Sequence, residues 1–260
     1  MKKVFLLVAL FETLIVFSQT KTPIAQPVIR EADVMWTKDI WRIIDLNERE
    51  NFPFYFPIEK RPNQLNLFNI LLTGIDSNKI TAYKSDDMVW NDTLTKKQLF
   101  DRVVVSDSIT VYSVDEFGNE NLAKQFMSDT LGVEYIAQYW IKEKWFFDKQ
   151  RSVMDVRIVA VCPVKYDVSK EILIPLFWIN YSDARNWLSQ FQTINSKNIS
   201  EQRTFDELFI KRKFVSVIKK ESNIYDREIE EYVNNVKEFL QESERIKEFI
   251  RNFEADRWEN

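Results

Sequence analysis

An α+β fold is expected: an antiparallel sheet packed with helices, an amphipathic N-terminal helix and a long C-terminal helix. Three observations lead there. β-Branched and aromatic runs separated by short polar turns fill the middle of the chain, most clearly over residues 134–163. Helical patterns fall between these runs without the regular alternation that a parallel sheet requires. From residue 223 to the end there is no glycine or proline, and apolar residues recur at a 3,4 spacing.

The chain opens Met1-Lys2-Lys3, continues with an apolar run from Val4 to Phe17, and offers Val16-Phe17-Ser18 as a cleavage pattern before Gln19. Residues 1–18 are therefore expected to be a removable secretory signal peptide. The run is shorter than the ~20 residues of a spanning helix, and Glu12 interrupts it. Residues 19–30, with Pro23 and Pro27 and no hydrophobic period, read as a flexible tether. Residues 31–222 form the α+β domain, and residues 223–260 a helical region free to pack on that same domain.

Val28 to Arg49 scans as an amphipathic helix. At ~100° per residue, Trp36, Ile40, Ile43 and Ile44 share one face, opposite Lys38, Arg42, Asp45 and Arg49. It runs into Asn51-Phe52-Pro53-Phe54-Tyr55-Phe56-Pro57, where each proline pushes its predecessor towards extended backbone. This reads as an aromatic strap. Asn66 caps a short helix over residues 66–73 with Gly74 just past its end, Ile80 to Tyr83 is a short strand, and Thr95 to Gln98 has capping-box spacing. Val103 to Val105 and Ile109 to Tyr112 are strand-like. Ala137, Tyr139, Ile141, Trp145 and Phe147 alternate on one face of a strand, Asp148 to Ser152 supplies a turn, and a returning strand places residues 156, 158, 160 and 162 on one face. Ile172 to Trp178 is a further strand, residues 184–191 a helix, and the region to Ser200 a loop. In the tail, Ile229, Val236, Ser243 and Ile250 interleave with Tyr232, Phe239, Ile246 and Phe253 as a heptad seam.

Composition removes many functions. The 260 residues contain no histidine, three glycines and one cysteine. Histidine-dependent triads, bases and zinc sites are impossible, phosphate-cradling glycine loops are missing, and no intrachain disulfide can form. Cys162, on a strand, reads as a small buried hydrophobe. The net charge of −4 becomes −5 once Lys2, Lys3 and Glu12 leave with the signal peptide, without the basic excess that nucleic-acid binding needs. Ser216 and Lys219 have SxxK spacing but lack the accompanying elements of a serine acyl-transferase. Carboxylate pairs such as Asp86 with Asp87, or Glu143 with Asp148, are inevitable among 40 acids. No catalytic residue, cofactor or metal is assigned. Aromatic content is high at 14%, with eight tryptophans and 20 phenylalanines, more than a core of this size easily hides.

Several blocks carry a family resemblance: Arg30-Glu31-Ala32-Asp33, Trp41-Arg42, Ile44-Asp45-Leu46, Lys79-Ile80-Thr81-Ala82-Tyr83, the run Ile141 to Asp148, Pro175-Leu176-Phe177-Trp178, and Phe205-Asp206-Glu207-Leu208-Phe209 with the run Arg212 to Arg227. Across nearly all of the expected mature chain, the sequence resembles the gliding-motility N protein family (GldN, also PorN). It departs from that pattern at Phe52, where the resemblance implies a histidine. The resemblance implies a non-enzymatic component of a periplasmic ring in type IX protein secretion and gliding. Its implied partners are an outer-membrane ring lipoprotein, the periplasmic domain of an inner-membrane motor and further copies of itself; no nucleic acid or small-molecule substrate is expected. A carboxylate-dependent cell-wall glycan hydrolase and a soluble periplasmic ligand-binding protein are the alternatives. Two candidate protein contacts follow: Trp36, Ile40 and Trp41 with Phe52, Phe54, Tyr55 and Phe56; and the seam residues Ile229, Val236, Phe239 and Ile250.

Overall fold

A computed structural model describes residues 22–59, 61, 64–88, 92–114, 120–194 and 203–258; the expected signal peptide lies outside them. The fold is α+β. A seven-stranded antiparallel sheet comprises β1 (Val34–Asp45), β2 (Ala82–Tyr83), β5 (Ile136–Asp148), β6 (Val153–Asp167), β7 (Ile172–Pro175), β8 (Trp178–Asn180) and β9 (Val217–Glu221). Its order is β2-β8-β6-β5-β1-β9, with β7 also paired to β6, while β3 (Val104–Val114) and β4 (Glu120–Thr130) form a separate two-stranded sheet. Six α-helices are described: α1 (Phe52–Tyr55), α2 (Leu67–Asp76), α3 (Lys96–Val103), α4 (Tyr181–Leu188), α5 (Phe205–Ile210) and α6 (Val236–Trp258).

The expected N-terminal helix is instead β1, an interior strand between β5 and the edge strand β9. The apolar spacing misled because both faces of β1 are covered. Ile40, Arg42 and Ile44 are buried on one face, while Trp41 and Ile43 are partly buried on the other. Such a strand shows no clean alternation, and its few polar positions fall by chance on a helical period.

Elsewhere the local chemistry sets the elements. The Asn66 side chain accepts from the Asn69 N–H at 2.9 Å and starts α2. A reciprocal capping box of Thr95 and Gln98 starts α3, and one of Thr204 and Glu207 starts α5. Gly74 lies inside α2 rather than beyond its end. A Cβ there would meet Ile80 Cδ1 at 2.7 Å and Trp187 Nε1 at 2.8 Å, so its bareness lets Trp187 reach in and donate to the Ile70 carbonyl at 2.9 Å. The expected strand Ile172 to Trp178 is split into β7 and β8.

The β5–β6 hairpin forms as expected, but a bulge corrects its faces. Lys142 pairs with Ala160 and Glu143 with Ile158, leaving Val159 extra. One inserted residue exchanges the faces of a strand. Ile158 and Val161 therefore join the large core with Ile44, Tyr139, Ile141, Phe54 and α2, α4 and α5, while Ala160, Cys162 and Val164 pack with Trp178 in a separate cluster. Cys162 is wholly buried, and burial pushes its thiol pKa well up.

A third cluster joins Ile40 and Ile218 to Ile229, Ile246 and Ile250, seating α6 against β1 and β9. The long helix begins at Val236, not near residue 223, because Asn235 caps it. Its side chain accepts from the Glu238 N–H at 2.9 Å and donates back to the Glu238 carboxylate at 2.9 Å. Ser243, the polar break in the seam, is buried, and its hydroxyl accepts from the Ile218 N–H at 2.8 Å. Ser243→Ala would leave that buried donor without this acceptor. The expected cost is about 1–3 kcal/mol in urea unfolding, against near-neutrality if the hydroxyl were merely tolerated.

Candidate protein-interaction surface

The aromatic strap is folded, and its four rings have different fates. It opens as the helical turn α1, where Pro53 sits in the first turn and Phe52 is helical rather than extended; only Phe56, before Pro57, is extended. Asn51 anchors it: its side-chain amide donates to the carbonyls of Asp45 at 2.7 Å and Val215 at 2.9 Å, and accepts from the Val215 N–H at 2.9 Å. At the other end the Asn66 amide donates to the Pro57 carbonyl at 2.7 Å, after a cis Phe56–Pro57 bond. Between these fixed points Phe54 points inward, fully buried against Tyr139, Phe205, Phe209 and Phe214, with centroids 5.1–6.5 Å away. Phe52 and Phe56 remain 36% exposed and meet edge to face at 5.5 Å, with Tyr55 against Phe56 at 5.2 Å.

This aromatic ridge separates two grooves. One, of about 860 Å³, runs from Phe52, Tyr55 and Phe56 to Tyr135, Tyr166 and Leu173. The other, of about 510 Å³, lies between Phe52, Phe56, Ile58 and Ile194. Ile58, Tyr135, Tyr166, Val168 and Leu173 are all exposed. A contiguous apolar patch on a rigid base is the usual mark of a contact surface.

Trp36, Ile40 and Trp41 do not join that ridge. Trp36 stacks on Phe253 of α6 at 5.0 Å, and Ile40 is wholly buried beneath the same helix. Trp41 faces the other side of the sheet. Its indole N–H donates to Asp86 Oδ2 at 2.7 Å, and Lys142 and Lys220 each place an ammonium 4.9 Å from its ring centroid. Burial works against the Asp86 charge, but Trp41 and Lys142 outweigh it and hold the carboxyl below its ordinary range. The seam is likewise divided. Ile229 and Ile250 are buried within the chain's own core, Phe239 lies at its margin, and Val236 is 74% exposed. Val236, Phe239 and exposed Leu240 line a groove of about 460 Å³ with Ile43, Val217 and Val233.

The polar groups raised as chemistry each have structural partners. Glu143, fully buried, meets Arg42 Nε at 2.9 Å and Arg212 Nη1 at 2.7 Å, the latter an ion pair without an aligned hydrogen bond. It also accepts from the Trp145 indole at 2.9 Å. Burial lowers the Arg42 pKa, with Glu143 opposing. Asp148 receives Arg151 at 2.6 Å, and Lys142 lies between Asp86 at 3.1 Å and Asp87 at 3.5 Å. Ser216 accepts from Arg42 at 3.3 Å, whereas Lys219 pairs with Glu228 over the Trp140 ring, so the SxxK residues serve different networks. Among the described residues no cluster of three or more Cys, Asp or Glu is arranged to hold a metal ion, and no helix is long and apolar enough to cross a membrane.

Sequence reasoning missed the Arg42–Glu143–Arg212 group and the buried Asp206, because their partners are far apart along the chain. Their only sequence signal was a charged residue inside an otherwise apolar strand or helix start.

The fold and its surface define an α+β protein that carries, among its described residues, an exposed aromatic ridge on a well-anchored base. The chain belongs to the family of gliding motility associated proteins GldN, whose sequence profile matches residues 29–259. No curated protein gives a match.

Proposed function

We propose that this protein is a non-enzymatic structural component of a periplasmic ring serving type IX secretion and gliding. In this reading it is exported by a cleavable signal peptide, associates with the outer membrane through a ring lipoprotein, contacts the periplasmic domain of an inner-membrane motor, and binds copies of itself. Family membership supports the gliding role. The observation that carries the assembly reading is the Phe52–Phe56 ridge, about one-third open to solvent between two grooves while Phe54 and Asn51 fix it from below.

The test is sedimentation and electron microscopy of residues 19–260, alone and co-expressed with the lipoprotein. Large rings from the two together are expected; an inert monomer in both preparations would overturn the reading. Within it, Phe52→Ala with Phe56→Ala is expected to weaken lipoprotein or self-association at least tenfold, since aromatic anchors dominate interface energy. The same double variant should lower the unfolding midpoint far less than Phe54→Ala, because both rings keep about a third of their surface in water while Phe54 has none. A wild-type affinity would move the contact away from the ridge.

A further inference from the structure

The extended segment ahead of β1 is gripped through its backbone. Asp206, in the first turn of α5, is fully buried. Its Oδ1 accepts from the Tyr181 hydroxyl at 2.9 Å and Arg185 Nε at 2.8 Å; its Oδ2 accepts from Arg185 Nη2 at 3.2 Å and from the Ile24 N–H at 3.0 Å. Arg185 Nη2 also donates to the Ile24 carbonyl, and Nη1 donates to the Gln26 side chain at 3.3 Å. Further along, Arg157 Nη2 donates to the Pro27 carbonyl at 2.6 Å. One ion pair thus reads both backbone groups of Ile24, as a neighbouring strand would. Charge-assisted bonds of this kind are about twice as strong as neutral ones and indifferent to the side chain they hold.

The body's half of this contact is prebuilt. Tyr181 and Asp206 are locked in the core, and Asp206 holds the Arg185 guanidinium by two hydrogen bonds, at 2.8 and 3.2 Å. The other half belongs to no helix or strand, and its docked residues precede residue 29, where the family match begins. Val28 is 96% exposed, so the docked piece joins the body through an open linker. A docked segment on an exposed linker is the arrangement that copies of a protein exchange at low cost.

We propose that Asp206, Arg185 and Arg157 form a binding site for an extended polypeptide, and that its ligand is residues 22–27 of this chain, supplied in cis by an isolated copy and by a neighbouring copy in an assembly. The exchange rests on the self-association proposed above; the site itself does not. In dilute solution the short tether gives the cis segment an effective concentration in the millimolar range, and it wins. In an assembly, neighbours reach comparable local concentrations. Residues 24–30 span at most about 24 Å when extended, so a neighbour's site must lie within that reach of Glu31.

The experiment uses residues 19–260 carrying Ile24→Pro, which removes the N–H that Asp206 accepts and alters no helix or strand. A fluorescent synthetic peptide of residues 19–30 is titrated against it by anisotropy. Saturable one-to-one binding is expected. It should be at least tenfold weaker to the unsubstituted chain, whose own segment competes, and at least tenfold weaker again when Arg185→Ala is added to Ile24→Pro. No saturation up to millimolar peptide, or binding indifferent to Arg185→Ala, would overturn the proposal. Peptide binding without ring formation upholds the site and removes the exchange; rings without peptide binding overturn the site and leave the ring reading standing.

Discussion

Glu143→Ala is expected to cost about 3–5 kcal/mol of folding stability, the range for removing one partner from a buried ion pair. The carboxylate is inaccessible to water and balances two guanidiniums, Arg42 at 2.9 Å and Arg212 at 2.7 Å. Arg42 is itself only 6% exposed; without Glu143 it keeps the Ser216 hydroxyl at 3.3 Å and the Trp145 ring at 5.9 Å, neither of which neutralises it. Arg212 is more exposed and can turn to solvent, so most of the penalty falls on Arg42. That asymmetry predicts non-additivity. Arg42→Met combined with Glu143→Leu should destabilise less than Glu143→Ala alone, because no charge is stranded in the core. Urea unfolding followed by tryptophan fluorescence measures both. A loss below about 1 kcal/mol for the single variant would mean that water reaches Arg42 and that the triad is ordinary surface electrostatics.

The same triad shows where the sequence stops being legible. The hairpin of β5 and β6, the capped starts of α2 and α3 and the existence of a long C-terminal helix, though not its start, were readable, because capping, turn chemistry and periodicity act over a few residues. β1 was not readable. Its Arg42 looks like the polar face of a helix, yet it points into the core because Glu143, 101 residues away, receives it. Val34, Thr37, Ile40, Ile43 and Ile44 carried the contrary β-branched signal, which the 3.6-residue spacing overrode. Ser243 follows the same logic, a polar seam residue explained only by an N–H that lies 25 positions earlier. The candidate surface was half legible. Two prolines and four aromatics marked the strap, but which ring turns inward depends on the distant Tyr139, Phe205, Phe209 and Phe214. The extended strand geometry separates Ile40 from Trp41, and no strap-plus-strand patch forms.

Phe54→Ala is expected to cost about 3–5 kcal/mol, the transfer term for a buried phenylalanine plus the cavity it leaves. Four rings surround Phe54, and two of its neighbours, Phe205 and Phe209, lie on α5 next to the buried Asp206. The hole cannot close easily. Asn51 on one side and the Asn66–Pro57 hydrogen bond on the other prevent the strap from sinking into it. Phe54→Leu, which refills most of the volume, should recover more than half of the loss. The contrast with Phe52 and Phe56 gives this prediction its use. If Phe54→Ala and the Phe52→Ala, Phe56→Ala pair both weaken assembly, only the first does so with a large loss of unfolding midpoint, so the ridge acts by contact and Phe54 by holding it up. Equal midpoint losses for both variants would instead make the whole strap a piece of the core, and the grooves beside Phe52 and Phe56 would lose their claim to be a binding surface.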